Sequence, residues 1–260
     1  MKLLIYIWRN VTRNKLRSSL TILSVGFSLA LMTILYGYLA MQNVAEAEAA
    51  KHDRLVVLNK LGFAAVLPIA HADKISKMDG VAAVTPFAWF GGNYKGQQMP
   101  FAQFSVEPKS VFDVFEEYEI PEDQVAAFKS DRQACVADKR LAEQMEWEIG
   151  ERIPLEGTIY QYDLDLRLVG TFEAPANTGS LWFNWNYLDE ELQKAGGFSG
   201  NAGSIFAKCK VSGDVALVSE EIDAKFANSE NATRTRTEAA FQRMFADMLG
   251  DVQTYIRMIS

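Results

Sequence analysis

Between Ser18 and Ala45 the chain carries no Asp, Glu, Lys, Arg or His. The apolar centre of that run, Leu20 to Leu39, would rise about 1.5 Å per residue as a helix and span roughly 30 Å, the thickness of a bilayer's hydrocarbon core. The apolar region of a secretion signal is shorter, about 7–15 residues. The Ala-x-Ala patterns at Ala45–Ala47 and Ala47–Ala49 lie beyond the run and enclose Glu46 and Glu48, which argues against cleavage there. The sequence therefore predicts a retained transmembrane helix over residues 18–41.

The flanks set its direction. Lys2, Arg9, Arg13, Lys15 and Arg17 precede the span with no acidic residue among them. Basic residues are retained on the cytoplasmic side. Residues 1–17 are thus a cytoplasmic segment, and everything after about Gln42 is expected outside the membrane. Tyr36 and Tyr38 fall where an outer aromatic belt would lie. Ser24 and Ser28 are four apart, as are Gly26 and Ala30, a spacing that lets a second helix approach closely. Small residues are also common in membrane helices without that role, and the sequence leaves both readings open.

The remainder is acidic. The net charge is −7, and because the first seventeen residues contribute +5 the rest carries −12. That balance excludes nucleic acid as a partner and argues against broad adhesion to anionic lipid, leaving the span itself as the contact with membrane lipid. The two cysteines, Cys135 and Cys209, lie in apolar, strand-like contexts and read as small buried residues rather than a disulfide framework.

After the span, QNVAEAEAAKHD (42–53) is rich in helix formers and reads as a stalk helix. RLVVLNK is a strand, ADKISKMDG a short helix and VAAVTPFAWF a second strand. The middle is strand-rich. KSVFDVFEEY reads as a short helix. ACVADKRLAEQMEWEIGERIPLEG reads as strand, helix capped by Asp138, turn and strand. DLDLRLVGTF places Leu164, Leu166 and Leu168 on one strand face, and LWFNWNYL places Leu181, Phe183, Trp185 and Tyr187 on another. Trp182, Phe183, Trp185 and Tyr187 are the candidate partner contact of this region, although alternating aromatics on a strand are more often core. SIFAKCKV is a strand and VALVSEEIDAKFANS a helix.

The last segment, TRTRTEAAFQRMFADMLGDVQTYIRMIS, reads as one long helix with Thr235 and Glu238 at capping-box spacing. Phe241, Phe245, Met248, Val252, Ile256 and Ile259 recur every three or four residues as a coiled-coil-like seam, suited to packing beside the first stalk. The fold class is thus α+β: one N-terminal transmembrane helix with a stalk, then a two-part extracytoplasmic core domain over 54–230. Its α/β halves are expected at about 54–92 and 203–230, its strand-rich insert at about 93–202, and a second stalk helix at 231–260.

Several of these segments together resemble a known family. RNKLRSSLTILSVGFSLAL resembles the first membrane helix of ABC transporter permeases of the macrolide-exporter (MacB-like) type, a superfamily that includes lipoprotein-release and FtsX-like permeases. VAAVTPF, ACVADKRLAEQMEWEIGERIPLEG and LRLVGTF resemble successive pieces of their periplasmic core domain. FQRMFADMLGDVQTYIRMI resembles the helix that leads into their second span. The resemblance implies a bacterial inner-membrane permease subunit. It would work with a partner ABC ATPase that binds the ATP, and with a second permease copy or paralogue. A periplasmic adaptor or a lipoprotein chaperone is a further partner type of the family. It also implies three later membrane helices, so that this sequence reads as the N-terminal part of such a permease.

Catalytic and cofactor motifs do not emerge. There is no Walker A pattern. His52 and His71 have no ligand cluster in sequence. GGFSGNAGS departs from a G-x-S-x-G elbow because its second glycine falls one place early. Asp163 and Asp165 share a strand face that reads as solvated. No enzymatic activity and no cofactor are expected in the chain itself. The rival reading, from a different class, is a single-pass membrane sensor with an extracytoplasmic ligand-binding domain.

Overall fold

A computed structural model describes residues 13–62, 64–160, 162–176, 178–194, 196–197 and 199–244. The chain falls into two compact units, Met1–Ala45 and Glu46–Ser260. The first is dominated by helix α1 (Lys15–Ala49). Its Lys15–Gly37 portion is long and apolar enough to cross a membrane, and none of it is buried within the protein. Thr21 and Thr33 donate their hydroxyls to the carbonyls of Arg17 and Leu29 at 3.0 and 2.8 Å, so these polar groups are satisfied inside the helix. Ser24, Gly26, Ser28 and Ala30 are exposed on it, and a Cβ at Gly26 would meet nothing within 4 Å.

The second unit is built on one nine-stranded sheet. Its strands are β1 (Arg54–Asn59), β3 (Val81–Trp89), β4 (Ala102–Val106), β5 (Ala134–Asp138), β6 (Arg152–Leu155), β7 (Leu164–Phe172), β8 (Ser180–Asn184), β10 (Ser204–Cys209) and β11 (Thr233–Thr237). The order across the sheet is β11-β1-β10-β3-β4-β8-β5-β7-β6. Neighbours are antiparallel except β4 with β8 and β5 with β7. The short strands β2 (Leu67–Pro68) and β9 (Asn201–Ala202) pair separately. The strands of residues 54–89 and 204–237 thus make one end of a sheet that continues unbroken into those of residues 102–184.

Period-two alternation sorts the core onto the two faces. Val56, Leu58, Phe87, Val136 and Trp182 lie on one face with Val111 and Val114 of helix α3 (Val111–Val114) and Phe128 of helix α4 (Glu122–Ser130). On the other, Leu55, Val57, Ile205 and Ala207 pack with helix α2 (Ala70–Ile75) and helix α7 (Val215–Phe226). Further along that face Leu164, Leu166, Leu168, Leu181 and Phe183 pack with helix α5 (Lys139–Gln144) and helix α6 (Trp185–Lys194). Each fully buried Leu or Phe contributes about 1.5–3 kcal/mol. The three leucines of β7 face one way as their alternation predicts. A bulge opposite Cys135 and Val136 then shifts the register, so that Phe172 joins the opposite face.

Asp138 caps α5 as expected, accepting from the Arg140 N–H at 3.0 Å. Other expectations are corrected. TRTRT is not helix but the edge strand β11, where Thr233 and Thr235 face Asp223 of α7 and accept the role of core-side residues. The helix begins only at residue 238, and its cap is Thr237, whose Oγ1 accepts from the Ala240 N–H at 3.2 Å. Thr235 instead donates to Asp223 at 2.7 Å, so the Thr235–Glu238 capping box does not form. The KSVFDVFEEY helix shrinks to α3. LWFNWNYL is strand only as far as Asn184, and α6 starts at Trp185. Helix α4 has no counterpart in the sequence reading.

Candidate functional site

Where the chain enters and leaves the sheet, a buried cation holds the two ends together. Arg54 is the first residue of β1, in register with Val56 and Leu58 on a core face, and is 4% exposed. Its Nε donates to Glu238 Oε2 at 2.5 Å. Its Nη1 donates to both carboxylate oxygens of Glu117, at 2.6 and 2.7 Å, and to the Val114 carbonyl at 3.3 Å. The guanidinium carbon lies 4.4 Å from the centre of the Phe115 ring. Three stretches of chain therefore meet on one side chain: the start of β1, the turn after α3 and the first residue of the last described helix. A planar fork with five donors suits this better than an ammonium would.

The surroundings extend the cluster. His52 Nε2 lies 3.6 Å from Glu48 Oε1 and 3.6 Å from Glu117 Oε1, linking the end of α1 to the same carboxylate. Lys51 pairs with Glu48. Further out, Arg243 pairs with Glu46, so the helix that begins at residue 238 is tied to the end of α1. Burial opposes the charge on Arg54, but Glu238 and Glu117 outweigh it and hold its proton more tightly. Burial pushes the Glu238 carboxyl above its usual range, with Arg54 pulling the other way and Glu117 adding to the rise. The buried Tyr118 hydroxyl is pushed up by burial and then by the same two carboxylates. This is a structural joint with no nucleophile, and no group of three or more His, Cys, Asp or Glu that could hold a metal occurs among the described residues.

The site residues read from sequence fare differently. Trp182, Phe183 and Trp185 are buried, at 3, 0 and 8% exposure, and are corrected from partner contact to core. Trp182 packs against Phe172, Tyr118 and Phe115 with ring centres 4.6, 5.2 and 5.5 Å away. Trp185 donates its indole N–H to the Asn201 carbonyl at 3.2 Å. Tyr187 is half-buried and accepts from Gln133 Nε2 at 3.4 Å. Of the expected seam, Phe241 lies 6.3 Å from Phe206 of the sheet, with the two rings edge-on. Phe245, Met248, Val252, Ile256 and Ile259 lie outside the described residues. Cys135 and Cys209 are both free and buried, with burial pushing the Cys209 thiol up to about 11. The Arg54 cluster was missed in the sequence. Its one signal was an Arg in period-two register with Val56 and Leu58.

Residues 18–225 match the family of MacB-like periplasmic core domains. No curated protein is similar to the chain in sequence. Solved structures share the fold, two of them with TM-scores of 0.53. One is the extracellular domain of the noncanonic ABC-type transporter YknZ from Gram-positive bacteria, with a TM-score of 0.53 at 11% identity, covering 70% of this chain and 99% of that one. The other is the periplasmic region of MacB from Actinobacillus actinomycetemcomitans, with a TM-score of 0.53 at 16% identity, covering 75% of this chain and 92% of that one. An apolar helix followed by a sheet-rich domain of this kind defines a membrane-anchored protein with an extracytoplasmic core. The chain belongs to the MacB-like periplasmic core domain family, that of ABC transporter permease components rather than classical enzymes.

Proposed function

We propose that this chain is the N-terminal part of a permease subunit that couples ATP hydrolysis by a cytoplasmic ABC ATPase to movement of its periplasmic domain. The N-terminus lies in the cytoplasm, α1 crosses the inner membrane, and the domain stands outside. ATP is bound by the partner ATPase. A second permease copy or paralogue completes the membrane unit, and a periplasmic adaptor or lipoprotein chaperone receives the work. Export, lipoprotein release and mechanotransmission are the outputs this arrangement serves.

The observation that carries the reading is the joint at Arg54. A domain driven from its membrane helices needs the entering and leaving segments to move as one body with the sheet. Arg54 to Glu238, and Arg243 to Glu46, supply those ties. The test is purification of the full-length protein from native membranes in mild detergent, followed by identification of co-purifying proteins and assay of ATP hydrolysis. The expected result is a stoichiometric ABC ATPase whose hydrolysis disappears when its nucleotide-site lysine is changed. A kinase or cyclase output on the same chain, with no ATPase, would overturn the proposal in favour of a membrane sensor.

A further inference from the structure

The sheet ends at β11, and the face of that edge strand turned away from α7 carries a line of cations. Register puts Arg234 opposite Leu58 and Arg236 opposite Val56, so both arginines share the sheet face of those two core residues. Lys60 continues the ladder, two residues on from Leu58 and diagonal to Arg234, its N–H donating to the Ala232 carbonyl at 2.8 Å. Same-face residues of a strand repeat every ~6.8 Å, so Lys60, Arg234 and Arg236 form one line about 14 Å long.

None of the three has an acid of its own: their side chains form no ion pair or hydrogen bond among the described residues. Lys60 and Arg234 are exposed, and the Nε of the half-buried Arg236 is enclosed without an acceptor. The neighbouring carboxylates are committed elsewhere. Glu238 is held by Arg54, and Asp223 lies on the opposite face, where it accepts from Thr233 and Thr235. Glu230, ahead of the strand, pairs with none of them. The chain beyond residue 17 is strongly acidic, so an uncompensated basic line departs from the rest of its surface. A guanidinium with unmet donors gains most from a carboxylate, which its fork grips through parallel hydrogen bonds.

Geometry selects the partner. Asp223 Oδ2 accepts the Thr235 N–H at 3.0 Å and stoppers the strand edge there, so a partner meets side chains rather than free backbone. Cations spread along about 14 Å of strand do not converge on a single small anion. An extended polypeptide repeats its own same-face side chains every ~6.8 Å, so carboxylates at alternate positions fall in step with the arginines. We infer that the β11 margin is a docking surface for an acidic, extended polypeptide segment, with successive Asp or Glu residues on Lys60, Arg234 and Arg236. The inference goes beyond the permease reading and does not depend on the partner ATPase, so either can fail without the other.

The test uses the full chain in nanodiscs of zwitterionic lipid and, as probe, a fluorescent peptide of alternating Glu and Thr, read by anisotropy. The expected result is saturable binding that empty nanodiscs lack and that weakens as salt is raised. Arg234→Glu/Arg236→Glu should weaken it by about tenfold or more, because it sets like charges face to face. The exposed single variants Arg234→Glu and Lys60→Glu should each weaken it too, and they carry the test if the double variant does not fold. Thermal unfolding reports which variants are intact. Lys129→Glu, at an exposed position on α4, should leave binding unchanged. Unaltered affinity in the folded Arg234 and Lys60 variants would overturn the inference. Equal binding of a peptide with the same Glu and Thr residues in two blocks would also overturn it, as a general attraction of polyanions. Co-flotation with phosphatidylglycerol vesicles that is lost in Arg234→Glu would do so too, by assigning the line to a lipid surface.

Discussion

The Glu238 carboxylate lies 2.5 Å from Arg54 Nε, although 184 positions separate the two residues. Both are buried, and Glu117 closes the other side of the guanidinium. Removing one member of such a cluster leaves charge without compensation. Arg54→Ala strands two carboxylates and should cost about 3–5 kcal/mol. For a domain of this size that lowers the thermal midpoint by on the order of 10 °C. Arg54→Lys keeps the charge but loses the fork, and should fall between variant and wild type. Tryptophan fluorescence during heating of the full chain in detergent reads both. Wild-type unfolding of Arg54→Ala would mean that the cluster is not a joint.

Glu238 also gives the joint a pH dependence. Burial raises its carboxyl above the usual range, so the folded chain holds that proton more tightly than the unfolded chain does. Between the ordinary carboxylate value and the raised one, the folded state binds more protons, and stability falls as pH rises through that window. Glu238→Gln keeps an acceptor for Arg54 and removes the titration. The stability of the wild type relative to Glu238→Gln should therefore decline from acidic to neutral pH, as measured by denaturant unfolding. A constant difference between the two would rule this out.

His71 predicts the opposite slope in a different window. Its ring stacks on Phe226 at 4.0 Å and its Nε2 lies 3.1 Å from the Asn231 carbonyl. Burial holds the imidazole below its ordinary value of 6.5 against the pull of that carbonyl, and Lys74 lowers it further. Below 6.5 the unfolded chain takes up the proton first, so this contribution is complete above that value and is lost as pH falls through the folded one. His71→Phe keeps the stack and should unfold with no such loss in the mildly acidic range. Parallel pH profiles for wild type and variant would contradict it.

Much of this architecture is legible in the residues. RLVVLN and LDLRL announce strands through β-branching and strict alternation, and the charge-free run announces its helix. TRTRT misleads because it has no apolar face. As an edge strand it shows Arg on one side and satisfies Thr against Asp223 on the other, so its threonines read as helix caps. The aromatics of LWFNW look like an exposed stripe only while the cover over each face is unknown. All five residues of β8 are buried, because helices cover both faces there. The Arg54 joint is the least legible element. Its carboxylates are 63 and 184 positions away, and only the sheet order brings β11 and the helix after it beside β1.

The turn between β6 and β7 is set by a glycine with no room for a side chain. A Cβ on Gly157 would lie 2.1 Å from the Tyr160 carbonyl oxygen and 2.2 Å from that of Tyr162, both backbone atoms. Its N–H donates to Asp163 Oδ1 at 3.1 Å, which fixes the turn from the other side. Neither carbonyl can rotate away as a flexible side chain would, so Gly157→Ala must displace the loop. Overpacking of this kind costs about 1–3 kcal/mol. Gly213, in the 3-10 turn Ser212–Asp214, is the control: nothing lies within 4 Å of its Cβ position. Gly213→Ala should be neutral, or stabilising by roughly 0.4–1 kcal/mol through the unfolded chain. Equal stability of the two variants would mean that the 157–162 turn has slack that its backbone distances exclude.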